Sequence, residues 1–394
     1  MQADDAHSTQ NAPSAIRHGS QPPGSTIGMV GGGQLGRMFA VAAAAMGYRV
    51  IIFTESADSP AAQIAHETVV GDLHDQAAID RFAQQCDVIT LEFENIPAAT
   101  IARCREFAPT YPSASVLAIT QNRLVEKNTL RDAGLPVTPF CDVDNTESLI
   151  LAGHALGWPL IVKTARSGYD GKGQQRVESA DEAGDVDWDA AAEWIAEKCI
   201  SFDKEVSVIV ARTPDGRCDS FPIFENSHHN HILDISIAPA LLSETLSAQT
   251  REVAVQAAEA LDVVGLLCVE FFVSDNEIMI NEVAPRPHNS GHLTIEACET
   301  SQFEQHVRAV CNLPLGSTLQ RTPFAAMANL LGDLWGSSDK APDWAAALTD
   351  PGISLHLYGK SLAKPGRKMG HLTITGTERD DVAARVSGAR SKLS

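Results

Sequence analysis

Short apolar runs separated by polar turns set the plan of this chain. Thr26 to Val30 is one such run. It leads into Gly31-Gly32-Gly33-Gln34-Leu35-Gly36, a small-residue stretch to Met46 with helical character, and a second apolar run from Arg49 to Phe53. Runs at Thr68 to Val70 and Val88 to Leu91 continue the alternation and predict a small parallel α/β domain whose functional rim lies at the strand C-termini. From Ser115 the pattern turns helical and stops at Gly134-Leu135-Pro136. Strands dominate from Leu160: Leu160 to Lys163, Trp194 to Glu197, Glu205 to Ala211 closed by Pro214-Asp215-Gly216, and a strand pair over Gly265 to Val283. Gln249 to Leu261 reads as an amphipathic helix between them. The last hundred residues mix strand-like runs, Ala325 to Leu331 and Ser354 to Leu357, with a basic Gly/Pro turn at Lys364 to Gly370. The expected division is a disordered tail over 1–24, an N-terminal α/β domain over 25–114, a central domain over 115–318 and a C-terminal domain over 319–394.

Composition narrows the class. With 44% hydrophobic and 20% charged residues the chain reads as an ordinary soluble protein, and no run approaches the roughly 20 apolar residues of a spanning helix. A net charge of -20 argues against nucleic acid or an anionic membrane as partner, since both need a cationic face. The eight cysteines are scattered without a Cys-x-x-Cys pair, which fits reduced thiols in the cytoplasm. The polar segment before Gly24 has no apolar core and does not read as a signal peptide.

Gly31, Gly33 and Gly36 fit the G-x-G-x-x-G spacing between strand and helix, where bare amides and the helix dipole hold phosphate, and Glu55 stands at the end of the second strand. A dinucleotide site and a purely structural tight turn are both open at this point. Lys163 ends a strand and is followed by Ser167-Gly168-Tyr169-Asp170-Gly171-Lys172-Gly173. There three glycines let the backbone close over polyphosphate oxygens and two lysines supply charge, without the Walker spacing. A solvated surface hairpin is the bland reading of that segment.

Glu270 and Glu282 lie on two apolar strands joined around Asp275-Asn276-Glu277. A three-residue loop sets them face to face, and an even loop sets Glu270 against Asn281. Opposed carboxylates on apolar strands make sense with a hard cation between them and phosphate, the alternative being a solvent-facing pair. Ala284-Pro285-Arg286-Pro287-His288-Asn289-Ser290-Gly291-His292 follows directly. Arg286 can clamp a small oxyanion, His288 or Asn289 can position it or move a proton, and His292 reads as a loop cap. His228, His229 and His231 suggest zinc, but no carboxylate or cysteine completes a set, and one functional histidine is favoured there.

With these residues assembled the chain resembles the ATP-grasp superfamily and, within it, the N5-carboxyaminoimidazole ribonucleotide synthetases. The marks run from Ile27 to about Ile374: Gly31 to Arg37, the Lys163 strand, Gly168 to Gly173, Glu205, Asn281 to His292, and Lys364-Pro365-Gly366-Arg367-Lys368-Met369-Gly370-His371. The resemblance implies a fold of mixed α/β and α+β character: an N-terminal parallel α/β (pre-ATP-grasp) domain, a central grasp domain and a C-terminal domain. It implies ATP-dependent carboxylation of 5-aminoimidazole ribonucleotide by bicarbonate through carboxyphosphate, in a cytoplasmic homodimer using Mg2+ or Mn2+. Residue by residue, it implies that Arg123, Lys163 and Ser167, Gly168, Tyr169, Asp170, Gly171, Lys172 and Gly173 hold the ATP phosphates. Glu197, Lys198, Cys199 and Ile200 line the adenine pocket, Glu205 takes the ribose, and His228 lies at the nucleotide. Glu270 and Glu282 bind the metal beside Asn281. Gly33, Gln34, Leu35, Tyr169, Asp170, Lys360, Arg367 and Lys368 meet the ribonucleotide, with the glycine-rich turn at its phosphate end. Arg286, His288 and Asn289 hold bicarbonate and carboxyphosphate, and the Gly168 to Gly173 loop closes as a lid. The rival readings are another ATP-grasp ligase (a formate-using glycinamide ribonucleotide transformylase or a biotin carboxylase-like enzyme), an NAD-dependent oxidoreductase, and a nucleotide-binding regulator without catalysis.

Overall fold

The computed structural model describes residues 19–168, 171–335 and 341–393. The expectations for Tyr169, Asp170 and most of the N-terminal tail lie outside the described residues. The first four strands, β1 (Thr26–Val30), β2 (Arg49–Thr54), β3 (Glu67–Val70) and β4 (Val88–Leu91), form a parallel sheet in the order β3-β2-β1-β4. β1, β2 and β4 are almost wholly buried, as strands covered on both faces by helices must be. The helical pattern predicted over 115–134 is made by two helices, Ala114–Thr120 and Arg123–Asp132, with a break between them. Asn122 breaks it, because its extended backbone lets the side-chain oxygen accept from the amides of Leu124 and Val125 at 3.0 and 3.3 Å as an N-cap.

A second, antiparallel sheet contains β5 (Phe140–Val143), β6 (Leu160–Thr164), β7 (Gln174–Val177) and β8 (Trp194–Lys198), in the order β5-β8-β6-β7. The third sheet has nine strands: β9 (Lys204–Arg212), β10 (Cys218–Ser220), β11 (Phe224–His229), β12 (Ile232–Ala238), β13 (Gly265–Ser274), β14 (Glu277–Ala284), β15 (Phe324–Leu331), β16 (Ser354–Leu357) and β17 (Lys368–Gly376). Its order is β14-β13-β9-β11-β12-β15-β17-β16, with β10 paired to β9, so the C-terminal strands extend the central sheet instead of forming one of their own.

Period-two alternation decides which face of this sheet is wet. Val206, Val208 and Val210 of β9 and Leu267, Val269 and Phe271 of β13 pack under the helix Glu244–Ala260. Glu205, Ser207, Glu270 and Phe272 therefore turn to the other side. The β13–β14 turn has two residues, Asp275 and Asn276, both with positive φ, which pairs Phe271 with Ile280 and by itself would set Glu270 against Asn281. A bulge between Glu270 and Phe271 shifts the register, so Glu270 faces Glu282 although the loop is even. The bulge also turns both Asn281 and Glu282 to the cavity side. The N-terminal domain docks on the helix Gln302–Val310, whose Phe303, Val307 and Val310 share a core with Phe39 and Ala43. Among the described residues no helix is long and apolar enough to cross a membrane, and all eight cysteines are unpaired.

Candidate active site

Where the three sheets meet, a cavity of about 1300 Å³ opens. Apart from Gly173 and Arg367, every described residue predicted to act lines it. Gly173 braces the loop from behind, its carbonyl accepting from the Thr164 amide at 2.8 Å, and Arg367 donates to the Leu362 carbonyl at 2.7 Å.

One end is cationic. Lys163, at the close of β6, donates to Glu197 at 3.1 Å, and the buried Lys127 stands 3.5 Å from the same carboxylate. Burial opposes a charge on Glu197, but the two ammonium groups outweigh it and hold the carboxyl below its ordinary range. Arg123 opens its helix and donates to the Gly168 carbonyl at 2.7 Å, tying the glycine-rich loop to the cavity floor, while its Nε is buried without a partner. Glu126, one helical turn further on, is 3% exposed, and burial reinforced by Glu282 pushes it up to about 8. Sequence reading missed Lys127 and Glu126, since charged residues in a helix ordinarily face water.

Glu270 and Glu282 stand opposed in the middle. Burial, then the neighbouring Glu270, raises Glu282. At Glu270 burial acts the same way, but His288, whose Nε2 lies 3.1 Å away, outweighs it and lowers the carboxyl. The Asn281 carbonyl oxygen beside them is buried and unpartnered. Cys268, Glu270 and His288 are the cluster with metal-ligating spacing among the described residues, so the three histidines 228, 229 and 231 form none. Burial drives the Cys268 thiol well up, so the oxygen donors are the natural ligands. His228 pairs with Glu205 across β9 and β11. Burial works against its charge, yet the Glu205 hydrogen bond prevails and raises it.

At the other end the glycine-rich turn differs from expectation. The amides of Gly33 and Gly36 do not wait for a phosphate: Glu92, just beyond β4, accepts from both, the latter at 2.8 Å. That carboxylate takes the place a dinucleotide pyrophosphate needs, and Glu55 is exposed outside the cavity. What the turn offers is Gln34, which accepts from Lys360 at 2.6 Å; Lys360 is also held by the Lys368 carbonyl at 2.6 Å. Arg286 makes a two-pronged pair with Glu94. Both polar side-chain atoms of Asn289 are buried without partners. Glu92 and Glu94 were also missed. Their signal was present, an acidic Glu-Phe-Glu-Asn at a strand C-terminus, where parallel sheets place their sites.

Comparison with known proteins matches these parts. The model of the ATP-grasp domain matches residues 128–303, that of the ribonucleotide synthetase preATP-grasp domain 25–121, and that of the phosphoribosylaminoimidazole carboxylase C-terminal domain 325–385. N5-carboxyaminoimidazole ribonucleotide synthase of Brucella melitensis is 46% identical over 358 residues, 90% of this chain and 97% of that one. The Bacillus subtilis synthase is 42% identical over 364 residues, 91% and 93% respectively. The solved ADP complex of an N5-carboxyaminoimidazole ribonucleotide synthetase superposes with a TM-score of 0.88 at 44% identity, covering 94% of this chain and 97% of that one. The Aspergillus clavatus enzyme, solved with ADP and 5-aminoimidazole ribonucleotide, gives 0.85 at 33% identity, covering 94% and 98%. Three domains matched in order, with near-complete coverage of these relatives, show that the chain belongs to the N5-carboxyaminoimidazole ribonucleotide synthetase family of ATP-grasp ligases.

Proposed function

We propose that the cavity carboxylates 5-aminoimidazole ribonucleotide with bicarbonate, driven by ATP, to give N5-carboxyaminoimidazole ribonucleotide, ADP and phosphate in purine biosynthesis. The observation that carries this reading is one cavity with a cationic polyphosphate end, opposed carboxylates at its middle and unpartnered Asn289 donors beside Arg286. In the first step a bicarbonate oxygen attacks the γ-phosphorus and the bond to the ADP oxygen breaks, forming carboxyphosphate. Carboxyphosphate then releases phosphate, and the exocyclic amine takes up the CO2 and loses a proton.

Arg123, Lys163, Lys172 and the amides of the loop from Ser167 to Gly173 hold the phosphates and neutralise charge during transfer. Glu197 to Ile200 hold the adenine, Glu205 the ribose, and His228 lies at the nucleotide. Arg286, His288 and Asn289 orient bicarbonate. The ribonucleotide meets Gly33, Gln34, Leu35, Lys360 and Lys368, and the family resemblance adds Tyr169, Asp170 and Arg367 to its contacts. Glu92 adds a buried carboxylate to the same wall. Closure of the loop excludes water from the labile intermediate. The oxygen-only set of Glu270, Glu282 and the orphaned Asn281 carbonyl fits Mg2+ or Mn2+, which would supply Lewis-acid neutralisation of the phosphates. The same reading makes the enzyme a cytoplasmic homodimer.

The test is ADP release from Mg-ATP and bicarbonate, with and without 5-aminoimidazole ribonucleotide, together with detection of an acid-labile carboxylated product. Ribonucleotide-dependent ADP and product support the reading. Turnover only with another amine or carboxylate overturns the substrate and keeps the ligase chemistry.

A further inference from the structure

Behind His288 runs a buried hydrogen-bonded row with a defined direction. The Ser290 amide lies 3.3 Å from His288 Nδ1, and the Ser290 hydroxyl lies 2.8 Å from the same nitrogen. A main-chain N–H can only donate, so Nδ1 presents its lone pair and the hydroxyl donates to it as well. The Ser290 oxygen then accepts from the Ser207 hydroxyl at 2.8 Å. Ser207 accepts from the Asn226 side-chain amide at 2.9 Å, and the Asn226 carbonyl accepts from Ser236 at 2.7 Å. In this row all arrows run toward the histidine, and the buried Cys268 thiol is a further hydrogen-bond neighbour of Ser290. Turning the Asn226 amide around reverses the row: Nδ1 then donates to the Ser290 hydroxyl, and its proton crowds the Ser290 N–H that points at the same nitrogen from 3.3 Å. With Nδ1 an acceptor, the ring proton sits on Nε2 and faces Glu270 at 3.1 Å.

The sheet register builds this row. Ser207 of β9 stands opposite Glu270 of β13, and Asn226 of β11 opposite Ser236 of β12. Ser207, Ser236 and Ser290 are fully buried and Asn226 is 7% exposed, so water does not compete for the bonds. Four polar side chains in that position are expensive to desolvate, and apolar residues of similar size would hold the strands together as well.

We propose that Ser290, Ser207, Asn226 and Ser236 are positioning residues that lock His288 as the Nε2–H tautomer, with its proton directed at Glu270 in the cavity wall. The functional half of this inference rests on the role given to His288 above; the tautomer does not. The histidine then acts as a hydrogen-bond donor of fixed orientation, set by the bond its other nitrogen makes.

The test is 15N spectroscopy of the full-length protein labelled at histidine, with His288→Gln assigning the signal. The expected wild-type result is a protonated Nε2 and a bare Nδ1; a protonated Nδ1 overturns the inference without any variant having to fold. Ser290→Ala keeps the 3.3 Å main-chain donor and loses the 2.8 Å hydroxyl, so the signal shifts part of the way toward a tautomer mixture, and kcat falls about 10- to 100-fold, the range for loss of a supporting hydrogen bond, with the KM for ATP unchanged. Ser207→Ala shows the same shift, smaller. A Ser290→Ala protein with wild-type tautomer and turnover overturns the assignment. If the wild-type enzyme ignores 5-aminoimidazole ribonucleotide, the proposed function fails while the spectrum still decides the tautomer.

Discussion

The turn after β1 and the loop after β6 are both glycine-rich and both border the cavity, but they differ in what meets their backbone. At Gly33 and Gly36 the amides are filled by Glu92, brought from 59 and 56 residues away in sequence. The loop that contains Gly168, Gly171 and Lys172 shares the cavity with Lys163 and is held at Gly168 by Arg123. The first turn has the familiar dinucleotide spacing, but its Gly33 and Gly36 amides are taken by Glu92. The second lacks any standard spacing and stands at the cationic end of the cavity, with Lys163 and Arg123. Glycine spacing specifies how sharply a backbone can bend. The group that reaches the bent backbone decides whether it binds an anion.

The largest expected effect lies on the cationic side. Glu282→Gln should reduce ADP release by at least about 10²- to 10³-fold, the scale of losing one preorganised electrostatic group, with an unchanged circular dichroism spectrum. Near wild-type turnover would remove the metal assignment. On the closed side, Gly31→Ala should act through stability. Its φ is +109°, and an added Cβ would lie 2.4 Å from Glu92 Cγ, so a loss of about 2–4 kcal/mol is expected in denaturant unfolding. A variant that keeps its stability would show that Glu92 is not locked in the turn.

The docking of that same domain should be sensitive to acid. His306 bonds Thr90 of β4 at 2.9 Å, and burial pushes its imidazole down to about 3, against about 6.5 unfolded. As pH falls the unfolded chain binds the proton first, so the contribution is complete above about pH 6.5 and is lost progressively toward 3. At pH 5 the loss is about 2 kcal/mol, and His306→Gln should flatten the fall of the melting temperature between pH 7 and 5. An equally steep fall in that variant would assign the acid sensitivity elsewhere. The smallest effect is expected at Gly171→Ala, where φ is +78° and the new Cβ would lie 2.6 Å from His231 Cβ. Displacing the lid loop should lower turnover about tenfold with stability changed by about 1 kcal/mol or less. A stability loss as large as that of Gly31→Ala would erase the contrast between the two turns.

Local pattern carried most of the strands. β1, β4 and β16 match the apolar runs at Thr26, Val88 and Ser354, because burial on a pleated surface is written residue by residue. The helical pattern over 115–134 is there, but it is divided at Asn122, where a side-chain cap competes with helix continuation over a few residues, a contest that periodicity does not resolve. The site was legible where its residues are contiguous, as in Asn281 to Asn289. Glu92, Glu94, Glu126 and Lys127 were not singled out, because each takes its place from a partner on another element: the Gly33 amide, Arg286, the Val283 amide and Glu197.

By itself the sequence determined most of the strands, the two glycine-rich bends, the acidic strand pair and the family to which these belong. Only the tertiary structure decided which bend is open, since a carboxylate must fold back to close the other. It also decided that Glu270 faces Glu282, since a bulge is chosen by the packing of Ile280 and Val283 into the core and not by the turn that joins the strands.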